Sequence, residues 1–220
     1  MDQKEKVFKN FILYAVTDLK AASGAELKKI EAAYRGGADI VQIRSRVLPD
    51  SALLKIGQKV QKIAARYRKL FFVNDRVDLA VLLHADGVHL GQDDMPLREA
   101  RNFARRAGAK LRFGISTHNL SQALRAEKQG ADYIGVGPVF STPTKPGRKG
   151  TGLRFVRQVA KRIKIPFVAI GGINLKNINR VARVGAKRVA VVRAIFSAKD
   201  PAGMAKNLRT NLTRAHNRKK

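Results

Sequence analysis

Residues 70–94 read LFFVNDRVDLAVLLHADGVHLGQDD and contain two short apolar runs, each followed at once by polar and acidic residues. The runs at 70–73 and 87–90 have the length and composition of buried strands, and a short helical segment separates them. If the two runs are neighbouring parallel strands, about 4.8 Å apart, Asp75 and Asp94 emerge at the same edge of one sheet. This stretch therefore predicts a strand–helix–strand unit with carboxylates at the strand ends.

The same organisation repeats along the chain. Four helix-to-strand joints resemble one another, at 37–40, 84–87, 130–133 and 185–188, and each gap between them holds one further strand-like run. The eight predicted strands are 12–16, 40–43, 70–73, 87–90, 111–115, 133–136, 167–170 and 189–192. The predicted helices are 25–35, 53–67, 76–83, 97–107, 120–129, 153–163, 175–184 and 201–212.

Strict alternation of strand and helix predicts a parallel sheet, with an open doubly wound sheet as the alternative. Eight units favour closure into a single (β/α)₈ TIM barrel. We expect one α/β barrel domain over residues 1–212 and a flexible basic tail over 213–220.

Composition narrows the class of protein further. The hydrophobic content of 45% is that of a globular chain, and no apolar run approaches the ~18 residues of a membrane span. The absence of cysteine excludes disulfides, a thiolate nucleophile and a zinc–thiolate site. We expect a cytoplasmic protein with no membrane partner.

The net charge of +29 raises the question of nucleic-acid binding. Lysine and arginine are spread along the whole chain, and basic residues do not alternate with aromatic ones as in base-stacking surfaces. A generally basic surface is the preferred interpretation. A nucleic-acid footprint and attraction of phosphorylated substrates are the alternatives.

Two features at the predicted strand ends are suited to metal and anion binding. Two aspartates, Asp75 and Asp94, suffice for Mg²⁺, which completes its shell with water and substrate phosphate. Helix capping is the competing role, because both precede predicted helices. Gln42, Arg44 and Arg46 alternate onto one side at the end of the second strand, where an arginine needs an anion or a salt bridge to a neighbouring acid.

A second anion site is predicted on the opposite side of the barrel. Glycines at 171 and 172 and the segment 191–194 follow the last two strands, where barrels often hold phosphate. The Gly/Pro/Thr/Lys-rich loop at 135–152 is a candidate lid with phosphate contacts. Two anion sites indicate two phosphorylated substrates or one bisphosphorylated substrate. His89 and His118 receive no catalytic role, because either is equally well a packed, satisfied histidine.

The strand-end motifs, taken together and in order, resemble those of the thiamine phosphate synthase family over residues 11–200. The matching segments are 14–18, 42–46, 74–75, 85–94, 114–118, 135–145, 169–173 and 190–195. The resemblance implies a TIM barrel that joins hydroxymethylpyrimidine diphosphate to hydroxyethylthiazole phosphate, giving thiamine monophosphate and diphosphate. It also implies a dissociative substitution without a protein nucleophile, and a homodimer is usual in the family.

Residue roles follow from the same resemblance. Asp75 and Asp94 would bind Mg²⁺. The pyrimidine diphosphate would be held by Gln42, Arg44, Arg46, Asn74, Ser116 and Lys145, with Arg44, Ser116 and Lys145 also in catalytic roles. The thiazole phosphate would be held by Thr142, Thr144, Gly172, Val192 and Arg193.

Two positions depart from the family pattern. Lysine is usual where Arg46 stands, and a small residue, often serine, where Arg193 stands. Arg193 either adds a second positive charge to the thiazole phosphate site, or its bulk narrows that pocket. The rival functions are a thiazole tautomerase-like paralogue, which lacks the metal and diphosphate side, and a basic nucleic-acid-binding barrel.

Overall fold

The protein folds as a closed barrel of eight parallel strands, which confirms the predicted (β/α)₈ architecture. The computed structural model describes residues 2–142 and 149–217. The strands are β1 Leu13–Val16, β2 Ile40–Ile43, β3 Leu70–Asn74, β4 Gly87–Leu90, β5 Arg112–Thr117, β6 Tyr133–Val136, β7 Phe167–Ile170 and β8 Val189–Val191. The helices are α1 Gln3–Asn10, α2 Gly24–Arg35, α3 Asp50–Arg66, α4 Val77–Leu82, α5 Leu97–Arg106, α6 Leu120–Lys128, α7 Gly152–Arg162, α8 Ile178–Arg183, α9 Arg193–Phe196 and α10 Pro201–Asn217.

The strands pair in chain order, and β8 pairs with β1 to close the barrel. The predicted bounds of β2, β4, β6 and β7 are those observed. β5 runs further than predicted, to Thr117, because Ser116 and Thr117 pair in register with Gly135 and Val136 of β6. This extension carries Ser116 on a strand rather than on a loop, which holds its side chain in a defined position.

The recurring joints have a structural role at the N-terminal end of the barrel. Three of them contain an aspartate that accepts a hydrogen bond from a backbone N–H at the start of the preceding strand. The pairs are Asp39 with Ile12 at 2.8 Å, Asp86 with Phe71 at 2.9 Å and Asp132 with Phe113 at 2.7 Å. Burial alone would raise the pKa of Asp39, but hydrogen bonds and charge from Lys69, with help from Arg209, hold it below its ordinary value. These carboxylates join neighbouring strands at the end opposite the strand-end motifs.

Helix α1 closes this N-terminal end and was not predicted from the sequence. Phe8 and Phe11, both buried, pack against the ring of Tyr133 inside the barrel, and Phe11 also packs against Tyr14. The helix is short and lysine-rich, so it owes its stability to this tertiary packing rather than to its own propensity. The open end of the barrel is therefore the C-terminal one.

Helix α10 runs to Asn217 rather than ending at residue 212 as predicted. Leu208 and Leu212 are buried, and Ala215 packs against the same core, which continues the apolar stripe past the predicted end. None of the helices within residues 2–142 and 149–217 combines the length and the apolar character that crossing a bilayer requires.

Candidate active site

A cavity of about 600 Å³ opens at the C-terminal ends of the strands. Eight of the predicted substrate-binding residues line it, from both predicted anion sites: Gln42, Arg44, Asn74, Ser116, Thr142, Gly172, Val192 and Arg193. Arg46 lies outside this lining and is exposed beyond the end of β2. Thr144 and Lys145 lie outside the residues that the structure describes. The fold thus brings together residues that lie up to 151 positions apart in the chain, from Gln42 to Arg193.

Asp75 and Asp94 meet at the ends of β3 and β4. The backbone N–H of Asp75 donates to the carbonyl of His89 at 2.9 Å, and Asp94 accepts from the N–H of Gly91 at 2.6 Å. Burial raises the pKa of Asp75 to about 7, and the hydrogen bond and negative charge of Asp94 add to the rise. Two carboxylates held this close repel one another, so the arrangement favours a proton or a cation between them.

The structure disfavours the capping role for these aspartates. The residues that precede the first turns of α4 and α5 are Arg76 and Pro96, and neither helix has a side-chain cap. Asp75 also adopts φ +60°, a left-handed conformation that a residue opening a helix does not need. Neither aspartate therefore caps the helix that follows it.

The pair has the donor chemistry of a hard-cation site. Within residues 2–142 and 149–217, no group of three or more histidine, cysteine, aspartate or glutamate side chains is placed to hold a metal ion, so the pair stands without a third such ligand. A cation held here would therefore keep open positions for water and for oxygen atoms of a phosphate, as Mg²⁺ prefers.

Arg44 brings positive charge to the cavity wall and to Asp75. Its Nη1 donates to Asp18 at 2.7 Å, so the salt bridge considered as an alternative to anion binding is present. The side chain is 11% exposed and lines the cavity, and its charge lowers the pKa of Asp75 against the larger effects of burial and Asp94. Arg44 thus has an internal partner and still presents a cation to an incoming anion.

The second predicted anion site lies across the cavity, after β7 and β8. Gly172 adopts φ +64°, and a Cβ there would approach the Cβ of Phe140 at 2.7 Å, so this position requires glycine. Asn177 donates to the Gly172 carbonyl at 2.8 Å and holds the turn. Arg193 is exposed at the cavity rim, and the part of the chain described here offers its guanidinium no ion-pair partner.

A hydrogen-bonded chain of five side chains crosses the barrel, and we call it the barrel relay; four of the five also line the cavity. Gln42 Nε2 donates to the Tyr14 hydroxyl at 2.7 Å, and the Tyr14 and Tyr133 hydroxyls lie 3.1 Å apart. The Tyr133 hydroxyl is 2.9 Å from His89 Nδ1, and His89 Nε2 is 3.0 Å from the Ser116 hydroxyl. Of these five residues, only Gln42 and Ser116 were predicted as site residues from the sequence.

One glycine makes room for the relay. Gly114 pairs in register with Tyr133, and a Cβ at Gly114 would lie 2.1 Å from the Tyr133 ring. A glycine inside a strand often marks such a close approach, and that signal was available in the sequence. The other histidine of the cavity, His118, lies outside the relay and donates through Nδ1 to the Gly137 carbonyl at 2.5 Å.

Comparison with known proteins agrees with this arrangement. A family model described as thiamine monophosphate synthase matches residues 13–195. A thiamine-phosphate synthase of Thermus thermophilus is 48% identical over 189 residues, covering 86% of this chain and 89% of that protein. One from Synechococcus is 45% identical over 203 residues, covering 91% of this chain but only 57% of the longer relative.

A solved structure shows similarity to the same family. The thiamine phosphate pyrophosphorylase of Pyrococcus furiosus superposes with a TM-score of 0.85 at 36% identity, covering 95% of this chain and 98% of that one. The family model spans most of the barrel, from β1 to α9, and includes both aspartates and both sides of the cavity. This chain therefore belongs to the thiamine monophosphate synthase family.

Proposed function

We propose that this protein is a thiamine phosphate synthase, which couples hydroxymethylpyrimidine diphosphate with hydroxyethylthiazole phosphate. The observation that carries the proposal is the pairing of Asp75 and Asp94 beside a cavity whose far wall holds Gly172 and Arg193. The proposed substrates carry a diphosphate and a phosphate, and the cavity has a candidate site for each. The family relatives named above support the assignment.

Asp75 and Asp94 would hold Mg²⁺ on the pyrimidine side. Bound there, the ion supplies neutralising charge for the leaving diphosphate. Arg44 contributes a fixed cation from the protein itself, and Lys145, which lies outside the described residues, would contribute another. Gln42, Asn74 and Ser116 supply hydrogen-bonding groups that orient the pyrimidine diphosphate.

The reaction requires alignment and charge stabilisation rather than a protein nucleophile. The C–O bond to the diphosphate breaks and its electron pair leaves with the oxygen. The thiazole nitrogen then captures the pyrimidine methylene carbon with its lone pair. Holding both reactants in one cavity supplies the proximity that such a step needs. Thr142, Gly172 and Val192, with Thr144 outside the described residues, would position the thiazole phosphate.

A metal-dependent coupling assay tests the proposal. Protein, both substrates and Mg²⁺ should release one diphosphate for each thiamine monophosphate formed, and EDTA should abolish both. Thiazole isomerisation without diphosphate release would instead identify a tautomerase-like paralogue. Steeply salt-dependent binding to DNA or RNA that neither substrate competes would identify a nucleic-acid-binding protein.

Arg193 is the residue whose replacement best probes the thiazole side. We expect Arg193→Ser to raise the KM for the thiazole phosphate about tenfold, the scale of one charge-assisted hydrogen bond, with the KM for the pyrimidine diphosphate unchanged. Arg162→Ser, at the C-terminal end of α7, removes the same charge away from the cavity lining and should change neither constant. Equal KM values in Arg193→Ser and the parent protein would show that the guanidinium does not contact the phosphate.

A further inference from the structure

The direction of the hydrogen bonds in the barrel relay follows from the chemistry of its first member. An amide nitrogen donates and never accepts, so Gln42 Nε2 makes the Tyr14 oxygen an acceptor at 2.7 Å. Among the described residues, the Tyr133 oxygen is the acceptor that the buried Tyr14 O–H can reach, so this O–H points to Tyr133. The single O–H of Tyr133 then points to His89 Nδ1. Every link has one donor and one acceptor in this direction.

The two tyrosines keep their protons at neutral pH. Burial raises the pKa of Tyr14 and of Tyr133 well above the ordinary tyrosine value. Both side chains are buried in the barrel, where an unpaired hydroxyl would be unfavourable. The relay therefore contains two complete O–H donors, and its polarity is retained from Gln42 to His89.

The state of His89 follows from this polarity. A ring nitrogen that accepts a hydrogen bond carries no proton, so Nδ1 is bare and the proton of the neutral ring resides on Nε2. Nε2–H then donates to the Ser116 oxygen at 3.0 Å. Because Ser116 accepts from below, its own O–H remains for a partner in the cavity that the residue lines.

We propose that the barrel relay holds His89 as the neutral Nε2–H tautomer and thereby directs the Ser116 hydroxyl hydrogen into the cavity, with Tyr133 as the positioning residue. Its use in catalysis rests on the proposed function: the hydrogen donates to an anionic oxygen of the pyrimidine diphosphate. With the opposite polarity, Ser116 would donate to His89 and present only lone pairs, which repel an anion.

The test of tautomer is a ¹⁵N–¹H correlation spectrum of the histidine rings in the substrate-free protein, with His89 assigned by His89→Gln. We expect protonated Nε2 and bare Nδ1 at His89. His118, which must donate through Nδ1 to a carbonyl, should show a protonated Nδ1 in the same spectrum. Protonated Nδ1 at His89 in the parent protein would overturn the proposal.

Tyr133→Phe tests the positioning role because it removes the donor to Nδ1 and keeps the ring. We expect mixed tautomers at His89 and a kcat lowered about tenfold, with the KM for the thiazole phosphate unchanged. Tyr14→Phe leaves Tyr133 free to donate, so His89 should keep its tautomer while the KM for the pyrimidine diphosphate rises through Gln42.

Tyr34→Phe is the matched control. It also removes one buried tyrosine hydroxyl, which donates to the Leu70 carbonyl at 2.8 Å, but it lies outside the relay. We expect a similar loss of melting temperature in Tyr34→Phe and Tyr133→Phe. In the control, Tyr34→Phe, the tautomer of His89 and the kcat should be unchanged. An unchanged tautomer in Tyr133→Phe, or a changed tautomer with unchanged kcat, would contradict the positioning role. Because the spectra need no substrate, they test the tautomer of His89 independently of the coupling assay, which tests the proposed function.

Discussion

Replacing Asp75 with asparagine should lower the rate of diphosphate release at least about 100-fold, the scale at which single electrostatic stabilisers act. Asparagine removes the charge that a hard cation requires and keeps the shape of the side chain. It also tolerates the left-handed backbone at φ +60° better than most residues do. The loss should therefore be one of catalysis and metal affinity, and the fold should remain intact.

Stability should respond in the opposite sense to activity. The pKa of Asp75 is raised above its unfolded-state value to about 7 by burial and by Asp94, so the folded protein retains this proton more tightly than the unfolded chain does. Without metal, the parent protein should lose stability as pH rises through about 7, since the carboxylate then ionises beside Asp94. Asp75→Asn has no charge to develop, and its melting temperature at pH 8 should equal or exceed that of the parent.

Asp93→Asn is the matched control for this experiment. Asp93 is an exposed carboxylate next to Asp94 in the chain, and it has no proposed role in the site. Thermal melts and coupling rates at pH 8 should leave Asp93→Asn indistinguishable from the parent protein. A large drop in melting temperature with retained turnover in Asp75→Asn would restore the structural role for this residue.

Removing the charge of Arg44 should have the second-largest effect. We expect Arg44→Gln to raise the KM for the pyrimidine diphosphate tenfold to about 100-fold, since a hydrogen bond to a charged group contributes about 1.5–3 kcal/mol. Asp18 loses its 2.7 Å partner in the same variant and adds negative charge near the substrate. Steady-state kinetics at saturating thiazole phosphate measures this change.

The same variant should shift the pH dependence of Mg²⁺ activation. Arg44 lowers the pKa of Asp75, so its loss should raise that pKa further above its ordinary value. Only the ionised carboxylate binds metal, so the concentration of Mg²⁺ that gives half-maximal activity falls as the pH rises through the pKa of Asp75. In Arg44→Gln this fall should occur at a higher pH than in the parent protein. Titrating Mg²⁺ from about pH 6 to 9 gives the comparison.

Arg66→Gln serves as the control for Arg44. Arg66 pairs with Glu31 on the outer surface and is 62% exposed, so its loss changes net charge equally without touching the cavity. Its kinetics and Mg²⁺ requirement should match those of the parent protein. Identical behaviour of both arginine variants would mean that Arg44 serves only its salt bridge to Asp18.

Much of the fold was predictable because its signals are local. The alternation of short apolar runs with helical stretches specified eight strands, four with the observed bounds. The placement of Asp75 and Asp94 at one edge followed from parallel pairing alone. Helix α1 was missed because Phe8 within it and Phe11 directly after it gain their partners only when the barrel closes around them.

The candidate site was only partly predictable for a related reason. Cavity residues such as Gln42 and Gly172 follow from family motifs and strand ends, whereas the barrel relay joins five side chains drawn from five different strands. Tyr14 and Tyr133 are 119 positions apart, and their contact depends on the register between strands and on the space left at Gly114. No local pattern encodes such a contact.

The sequence by itself determined that the chain alternates strand and helix, that its acidic and basic residues follow the strands, and that glycines occupy the turns after β7. Tertiary structure decided the electrostatics: the raised pKa of Asp75, the pairing of Arg44 with Asp18 and the polarity that reaches Ser116. The physical reason is distance and burial. A carboxylate or hydroxyl acquires its properties from neighbours a few ångströms away and from the exclusion of water, and both are set only when distant strands meet.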